Sequence, residues 1–432
     1  MDPEVIQADW TWTGERFERG IQVAVADDGR IEAVGALRRR PTRALPGLAL
    51  LPGFVNAHSH AFQRGLRGRG ERFPAGQGSF WTWREAMYAL VDSLTFEGLC
   101  DLYVQTFREM RDAGYTTVGE FHYVHHSPGT LDYACDEIVL RGAAAAGIRI
   151  ALLNTYYATG GIGRPLEGAQ RRFESRDPGA YWAQMDRLEA LRDPRTQTLG
   201  AVAHSIRAVP ADTVAELHRE ARRRGLVFHM HVEEQVKEIE ECEAAYGRRP
   251  MSVFTEVLAL EGGFTAVHCT HTDPDDMRRF LQSGGTVCVC PLTEGNLGDG
   301  LPDLTAVHAA GGRLSLGTDS NARISMLEDM RWLEYGQRLR HQARGLLADA
   351  EGQVARTLLH AATAGGARAL GVDTGCMAPG RWADFVGVDL GHPALAGVGG
   401  EELLDALVFG ADNAGIAGTF VGGRWRATGA ER

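Results

Sequence analysis

The chain has 432 residues, 44% of them hydrophobic and 23% charged, with 54 Gly and 16 Pro, proportions that exclude a disordered, collagenous or fibrous protein. Its formal charge of −11, from 45 basic and 56 acidic residues, argues against general affinity for nucleic acid, which rests on clustered Lys and Arg, and points to small-molecule partners. No apolar run approaches the roughly 18 residues of a membrane helix, and the acidic start lacks the order of a signal peptide, so a cytoplasmic protein with no membrane partner is expected.

Residues 1–50 hold short alternating segments at 21–26 and 31–34, broken by Asp27, Asp28 and Gly29, the pattern of a β-hairpin. Eight apolar strand-like runs then alternate with amphipathic helical stretches, at 51–58, 116–123, 148–157, 199–209, 226–233, 264–271, 286–292 and 314–320. The segment 65–78, rich in Gly and Arg, reads as a lid ahead of a helix starting near Trp81. After a helix over 357–370, strands are expected at 385–389, 406–408 and 418–425, with Gly422 and Gly423 as a turn. The predicted fold class is therefore α/β: a (β/α)8 TIM-like barrel over 51–372, with a small β-sandwich domain formed by both chain ends, 1–50 and 373–432.

In such a barrel the chemistry sits at the C-terminal strand ends, and there the runs close on HSH, EFHY, HSIR, HMHVEE, HCTH and GTDS. His58 and His60 lie two apart, so strand geometry points both side chains to one face. His231 ends the fifth run and Asp319 the eighth, which brings three imidazoles and a carboxylate to one mouth. That donor set suits Zn²⁺, and Fe²⁺ or Mn²⁺ could occupy it as well. An ion of this kind lowers the pKa of its water to about 7 and makes the reaction class hydrolytic. His229, in a second HxH, reads as a core histidine rather than a ligand, and periodicity alone leaves the choice between His268 and His271 open.

Other features have blander readings. The seven Cys form no CxxC pair and fit reduced thiols. Lys237 is the single lysine, so any one Arg is a weak signal, and Lys237 itself reads as part of an exposed salt-bridged helix face. Arg64, Arg67, Arg69 and Arg72 read as solvated loop charges, and Phe80, Trp81 and Trp83 as helix packing under the lid. His122, His125 and His126 carry no assignable role.

Together LPGFVNAHSH, the HxxE of His231 to Glu234, His268 and LGTDS resemble the amidohydrolase superfamily, in its mononuclear deaminase branch. Closer still, HSHAFQRGLRG, SFWTWREAMY, GEFHYVHH, HSIRAV and HVEEQ are similar to the formimidoylglutamate deiminases, which convert N-formimino-L-glutamate and water to N-formyl-L-glutamate and ammonia in histidine degradation. The resemblance implies that His58, His60, His231 and Asp319 hold one zinc per chain, that Glu234 and His268 handle protons, and that Gln63, Arg84, Tyr123, His204 and Arg207 contact substrate; on chemical grounds Asp319 is expected to share with His268 removal of the proton from the attacking water. It also implies a homodimer. Binuclear hydrolases of this type bridge two ions with a carboxylated lysine from the fourth strand; here His204, Ser205, Ile206 and Arg207 occupy that end, so a mononuclear site is expected.

A dicarboxylate substrate asks an acidic protein for local positive charge, and Arg84 and Arg207 offer planar forks that match carboxylates. Two other readings compete: a related deaminase acting on a nucleobase or similar heterocycle, which would want stacking instead of Arg, and a catalytically silent barrel kept as a binding protein.

Overall fold

The computed structural model describes residues 3–73, 76–258, 260 and 264–430. All eight expected runs form parallel strands: β1 (Phe54–Ser59), β2 (Tyr115–His122), β3 (Arg149–Tyr156), β4 (Gln197–Ala203), β5 (Phe228–Val232), β6 (Thr265–His268), β7 (Thr286–Val289) and β8 (Arg313–Leu316). Each pairs with its sequence neighbour, giving a nearly closed barrel. The strands are buried on both faces because amphipathic helices cover the outside, which is why they read as apolar runs rather than alternating ones.

The expected runs extend past the strands at their polar ends. There the backbone turns away from the sheet, with positive φ at Glu233, His268 and Asp319. Left-handed conformations at non-glycine residues cost of order 1–3 kcal/mol each and persist where the surroundings fix them. All three lie at the barrel mouth.

The barrel closes between its first and last strands at that same mouth. Ser59 and Asp319 form a parallel bridge, the His60 N–H donates to the Asp319 carbonyl at 2.9 Å, and the Asp319 N–H donates to the His58 carbonyl at 3.0 Å. Gly317 permits this seam: a Cβ there would lie 2.7 Å from the His58 carbonyl oxygen and 2.8 Å from the His58 Cβ. Asn56 ties the strands further, its amide donating to Thr318 Oγ1 at 2.7 Å and its carbonyl oxygen accepting from the Thr318 N–H at 3.0 Å.

The two chain ends build a second, eight-stranded sheet. Arg43–Pro52 lies centrally, between Glu4–Trp12 and Phe385–Asp389, and Ile416–Val421 with Arg424–Ala427 forms one margin. The sheet encloses a core of its own that includes Ile6, Val23, Leu50, Phe385 and Phe420. The strand expected at 406–408 is instead part of a helix, Leu403–Gly410. Leu403, Leu404, Leu407 and Val408 are buried at helical spacing, a pattern the short window 406–408 could not reveal. The Gly422–Gly423 turn is present, with φ of 56° and 79°.

One buried ion pair joins barrel to sheet. Arg149 on β3 grips Asp384 with Nε at 2.7 Å and Nη2 at 3.1 Å. Asp384 also accepts from Thr374 Oγ1 at 3.0 Å and from the Gly422 N–H at 2.7 Å.

The segment expected as a lid begins in a 3-10 turn, Ala61–Leu66, and precedes α1 (Phe80–Ser93), which Ser79 caps through a reciprocal bond pair with Thr82. Within the segment, residues 74 and 75 lie outside the described residues. Arg64 and Arg67 are not free loop charges. Both pair with Glu109, and Arg67 Nε donates to the Asn321 carbonyl at 2.8 Å, bracing the turn after Asp319. No helix among the described residues is long and apolar enough to cross a membrane.

Candidate active site

His58, His60, His231 and Asp319 converge at the barrel mouth, all buried, with one donor atom from each mutually close. His231 Nε2 lies 3.2 Å from His58 Nε2 and 3.3 Å from His60 Nε2. Asp319 Oδ1 lies 3.4 Å from His58 Nε2 and 3.3 Å from His60 Nε2. Adjacent donors held about 2.0–2.1 Å from a zinc ion lie roughly 2.9–3.4 Å apart, so these four separations fit one such ion, which in a catalytic site keeps a position open for water.

Their protonation also fits. His60 Nδ1 donates to the Phe121 carbonyl at 2.8 Å and His231 Nδ1 to the His204 carbonyl at 3.0 Å. A carbonyl only accepts, so each neutral ring presents an Nε2 lone pair to the centre. Burial, then the neighbouring imidazole His58, lowers the His60 pKa to about 3, with Asp319 and the Phe121 carbonyl opposing; burial likewise holds His58 and His231 well below the usual histidine range.

Beside this centre stand His268 and Glu234. His268 Nε2 lies 3.8 Å from Glu234 Oε1 and 3.9 Å from Asp319 Oδ2. Burial opposes charging of His268, but Glu234, Glu294 and Asp319 outweigh it and raise the pKa to about 10. His271 lies elsewhere, in a groove with Arg249 and Asp303. His229 hydrogen-bonds the Ala369 carbonyl at 2.8 Å as a core residue. Glu234 accepts from Arg207 Nη2 at 2.9 Å, and Arg207 Nε lies 3.7 Å from Glu238.

A narrow cavity, partly open to solvent, rises from the centre. Gln63, Arg84, Tyr123, His204 and Arg207 all line it, together with His60, His231, Glu234 and Asp319. Gln63 Nε2 donates to the Tyr123 hydroxyl at 2.7 Å. The His204 imidazole is held neutral, first by burial and then by nearby Arg207. Arg84 differs from Arg207: it donates to the Tyr88 hydroxyl at 2.6 Å and has no carboxylate partner among the described residues.

Comparison with known proteins decides the family. The Amidohydrolase family model matches residues 49–426. The chain belongs to the amidohydrolase family. A formimidoylglutamate deiminase of Pseudomonas aeruginosa is 40% identical over 417 residues, covering 95% of this chain and 92% of that protein. An amidohydrolase from Brucella melitensis superposes with a TM-score of 0.86 at 31% identity, covering 98% of this chain and 96% of that one. An adenosine deaminase from Xanthomonas campestris with bound zinc superposes at 0.81, with 24% identity and coverage of 98% and 94%. The amidohydrolase is thus an enzyme acting on C–N bonds.

Several residues of the amidohydrolase site were not singled out in the sequence. Glu294, in the short helix Pro291–Leu297 after β7, is buried and lies 3.3 Å from His268 Nδ1, while the same oxygen accepts from the Cys290 N–H at 3.0 Å. It fixes the His268 ring. Removing a hydrogen bond to a charged group costs about 1.5–3 kcal/mol, so Glu294→Ala is expected to lower kcat/KM roughly ten- to a hundredfold, with partial recovery in Glu294→Gln. Steady-state kinetics on both variants check this.

Phe80 and Trp83 line the cavity itself, as do Tyr88, Tyr157 and Phe173, so part of the aromatic cluster is wall and not only packing. Lys237 stacks on Trp81 at 4.5 Å from the ring centre and reaches Glu241 at 4.0 Å. His122 and His125 have a structural role: both donate to buried Asp136, at 3.0 and 2.8 Å, whose other oxygen accepts from Gln184 and Asn154.

Proposed function

We propose that this amidohydrolase hydrolyses the C=N bond of N-formimino-L-glutamate, giving N-formyl-L-glutamate and ammonia, as a step of histidine degradation. The observation that carries the reading is a cavity lined by His60, His231, Asp319 and Glu234 together with Arg84, a guanidinium that no carboxylate among the described residues neutralises. Relatedness to the Pseudomonas aeruginosa deiminase supports the same substrate.

His58, His60, His231 and Asp319 would hold the ion, zinc in this reading. A divalent ion held there would supply Lewis acidity that makes water a stronger acid near neutral pH. Asp319 Oδ2 and Glu234 Oε1 flank His268, so either carboxylate can take a proton from the attacking water. That proton passes through Glu234 to the imino nitrogen, and the second water proton, released as the C=O bond forms, follows to the same nitrogen, so that ammonia leaves. His268, anchored at Nδ1 by Glu294 and facing Glu234 and Asp319 through Nε2, stands where it can stabilise the oxygen that becomes anionic. Arg84 binds one substrate carboxylate in a planar fork, and Arg207 offers the other its N–H groups beyond the one given to Glu234. Gln63, Tyr123 and His204 supply neutral hydrogen bonds along the cavity.

A charge-assisted bond contributes about 1.5–3 kcal/mol, so Arg84→Met is expected to raise KM roughly ten- to a hundredfold with a smaller change in kcat. The aromatic wall favours a second reading, a flat heterocyclic substrate. Ammonia release by the zinc-loaded protein on formimino-L-glutamate, formimino-L-aspartate, guanine and cytosine distinguishes the two. Fastest turnover of formimino-L-glutamate is expected; faster turnover of a nucleobase overturns the assignment.

A further inference from the structure

The geometry points to a second, weaker divalent-cation site adjoining the first, built from His268, Cys290 and Asp319, whose occupancy by excess zinc stops turnover. The inference rests on the proposed reading for its activity arm but not for its binding arm.

His268, Cys290 and Asp319 are buried, and one donor atom from each falls within 4.8 Å of the others. The two oxygens of Asp319 face different neighbours. Oδ1 addresses His58 and His60 at 3.4 and 3.3 Å, while Oδ2 lies 3.9 Å from His268 Nε2. One carboxylate can therefore serve two ions, one through each oxygen. Cys290 follows directly on β7 and sits against the seam strand, its Sγ 3.0 Å from where a Cβ on Gly317 would lie. Glu234 Oε1, 3.8 Å from His268 Nε2, stands close enough to give a fourth donor after a small movement. A set of one thiolate, one imidazole and two carboxylates suits zinc, cadmium or cobalt and disfavours magnesium or calcium.

The two sites differ in strength for structural reasons. The first set already holds four of its donor pairs 3.2–3.4 Å apart, with ring lone pairs aimed at the centre. The second has gaps of 3.8–3.9 Å between His268 and the two carboxylates. Its ion must also break the Cys290 S–H bond and displace any proton on His268 Nε2. Those protons leave to solvent as the metal–sulfur and metal–nitrogen bonds form, with no change of oxidation state. Once bound, the ion occupies His268, Asp319 and Glu234, the groups that the reaction uses for charge and proton transfer. Turnover stops although the first ion stays in place.

The test is a cobalt titration of the metal-stripped full chain, followed by absorbance and by elemental analysis. A near-ultraviolet thiolate-to-cobalt band is expected to appear with the second equivalent and not the first, with two ions per chain at saturation. Cys290→Ser should bind one ion without the band, and Cys288→Ser should keep both ions and the band. With zinc, ammonia release should rise with the first equivalent and fall about 10²-fold or more with excess in the wild type, but persist in Cys290→Ser. The wild-type spectrum needs no variant, so absence of the band at excess cobalt overturns the inference whatever the variants do. A band or zinc inhibition unchanged in Cys290→Ser overturns it equally. A chain that binds one ion and works but never takes a second refutes this inference alone, whereas a chain that binds no ion refutes the proposed function with it.

Discussion

Glu234→Gln is expected to lower kcat by about 10² to 10⁴, the usual contribution of a positioned acid or base, while the chain keeps its metal. Glu234 stands beside the ligand set without belonging to it, 3.8 Å from His268, and its carboxylate faces the cavity. The amide matches the carboxylate in shape but cannot carry a proton to nitrogen. It also withdraws the negative charge that Arg207 Nη2 meets at 2.9 Å, so some rise in KM should accompany the loss. Rates on formimino-L-glutamate and bound metal must be measured on the same sample. Full activity with full metal would remove Glu234 from the mechanism.

The second large effect concerns stability. Asp384→Ala leaves the Arg149 guanidinium buried without its carboxylate, and breaking a buried pair in this way costs about 3–5 kcal/mol. The pair is bidentate, at 2.7 and 3.1 Å, and both side chains are nearly inaccessible, at 3% and 0%. Arg149 also stacks on Trp382 at 4.4 Å, so barrel and chain-end sheet loosen together. The denaturant midpoint should fall, and metal binding by the folded fraction should not change, because Arg149 opens β3 at the end away from the mouth. A midpoint within error of the wild type would show that the pair adds nothing.

The strands were legible because parallel barrel strands are buried on both faces and read as apolar runs, and their ends were legible because HSH and GTDS interrupt those runs with donors. Period-two spacing told which face His58 and His60 occupy. It could not tell which side chain meets them from across the barrel, since such contacts join residues far apart in sequence. Glu294 escaped notice for that reason: in a short helix after β7 a carboxylate reads as surface, and only the folded chain sets it against His268. Arg207 was legible as a cation at a strand end, but not as the partner of Glu234 and Glu238. Arg67 looked like a loop charge because its partners Glu109 and the Asn321 carbonyl lie on other elements. The segment 406–408 holds three apolar residues, which satisfy a strand and a helix alike.

The seam between β1 and β8 also sets an order of events during synthesis. His58 and His60 leave the ribosome early, whereas Asp319, which both completes the donor set and exchanges backbone hydrogen bonds with them, emerges only after most of the polypeptide has been made. The nascent protein therefore lacks the full four-residue donor set until the barrel shuts.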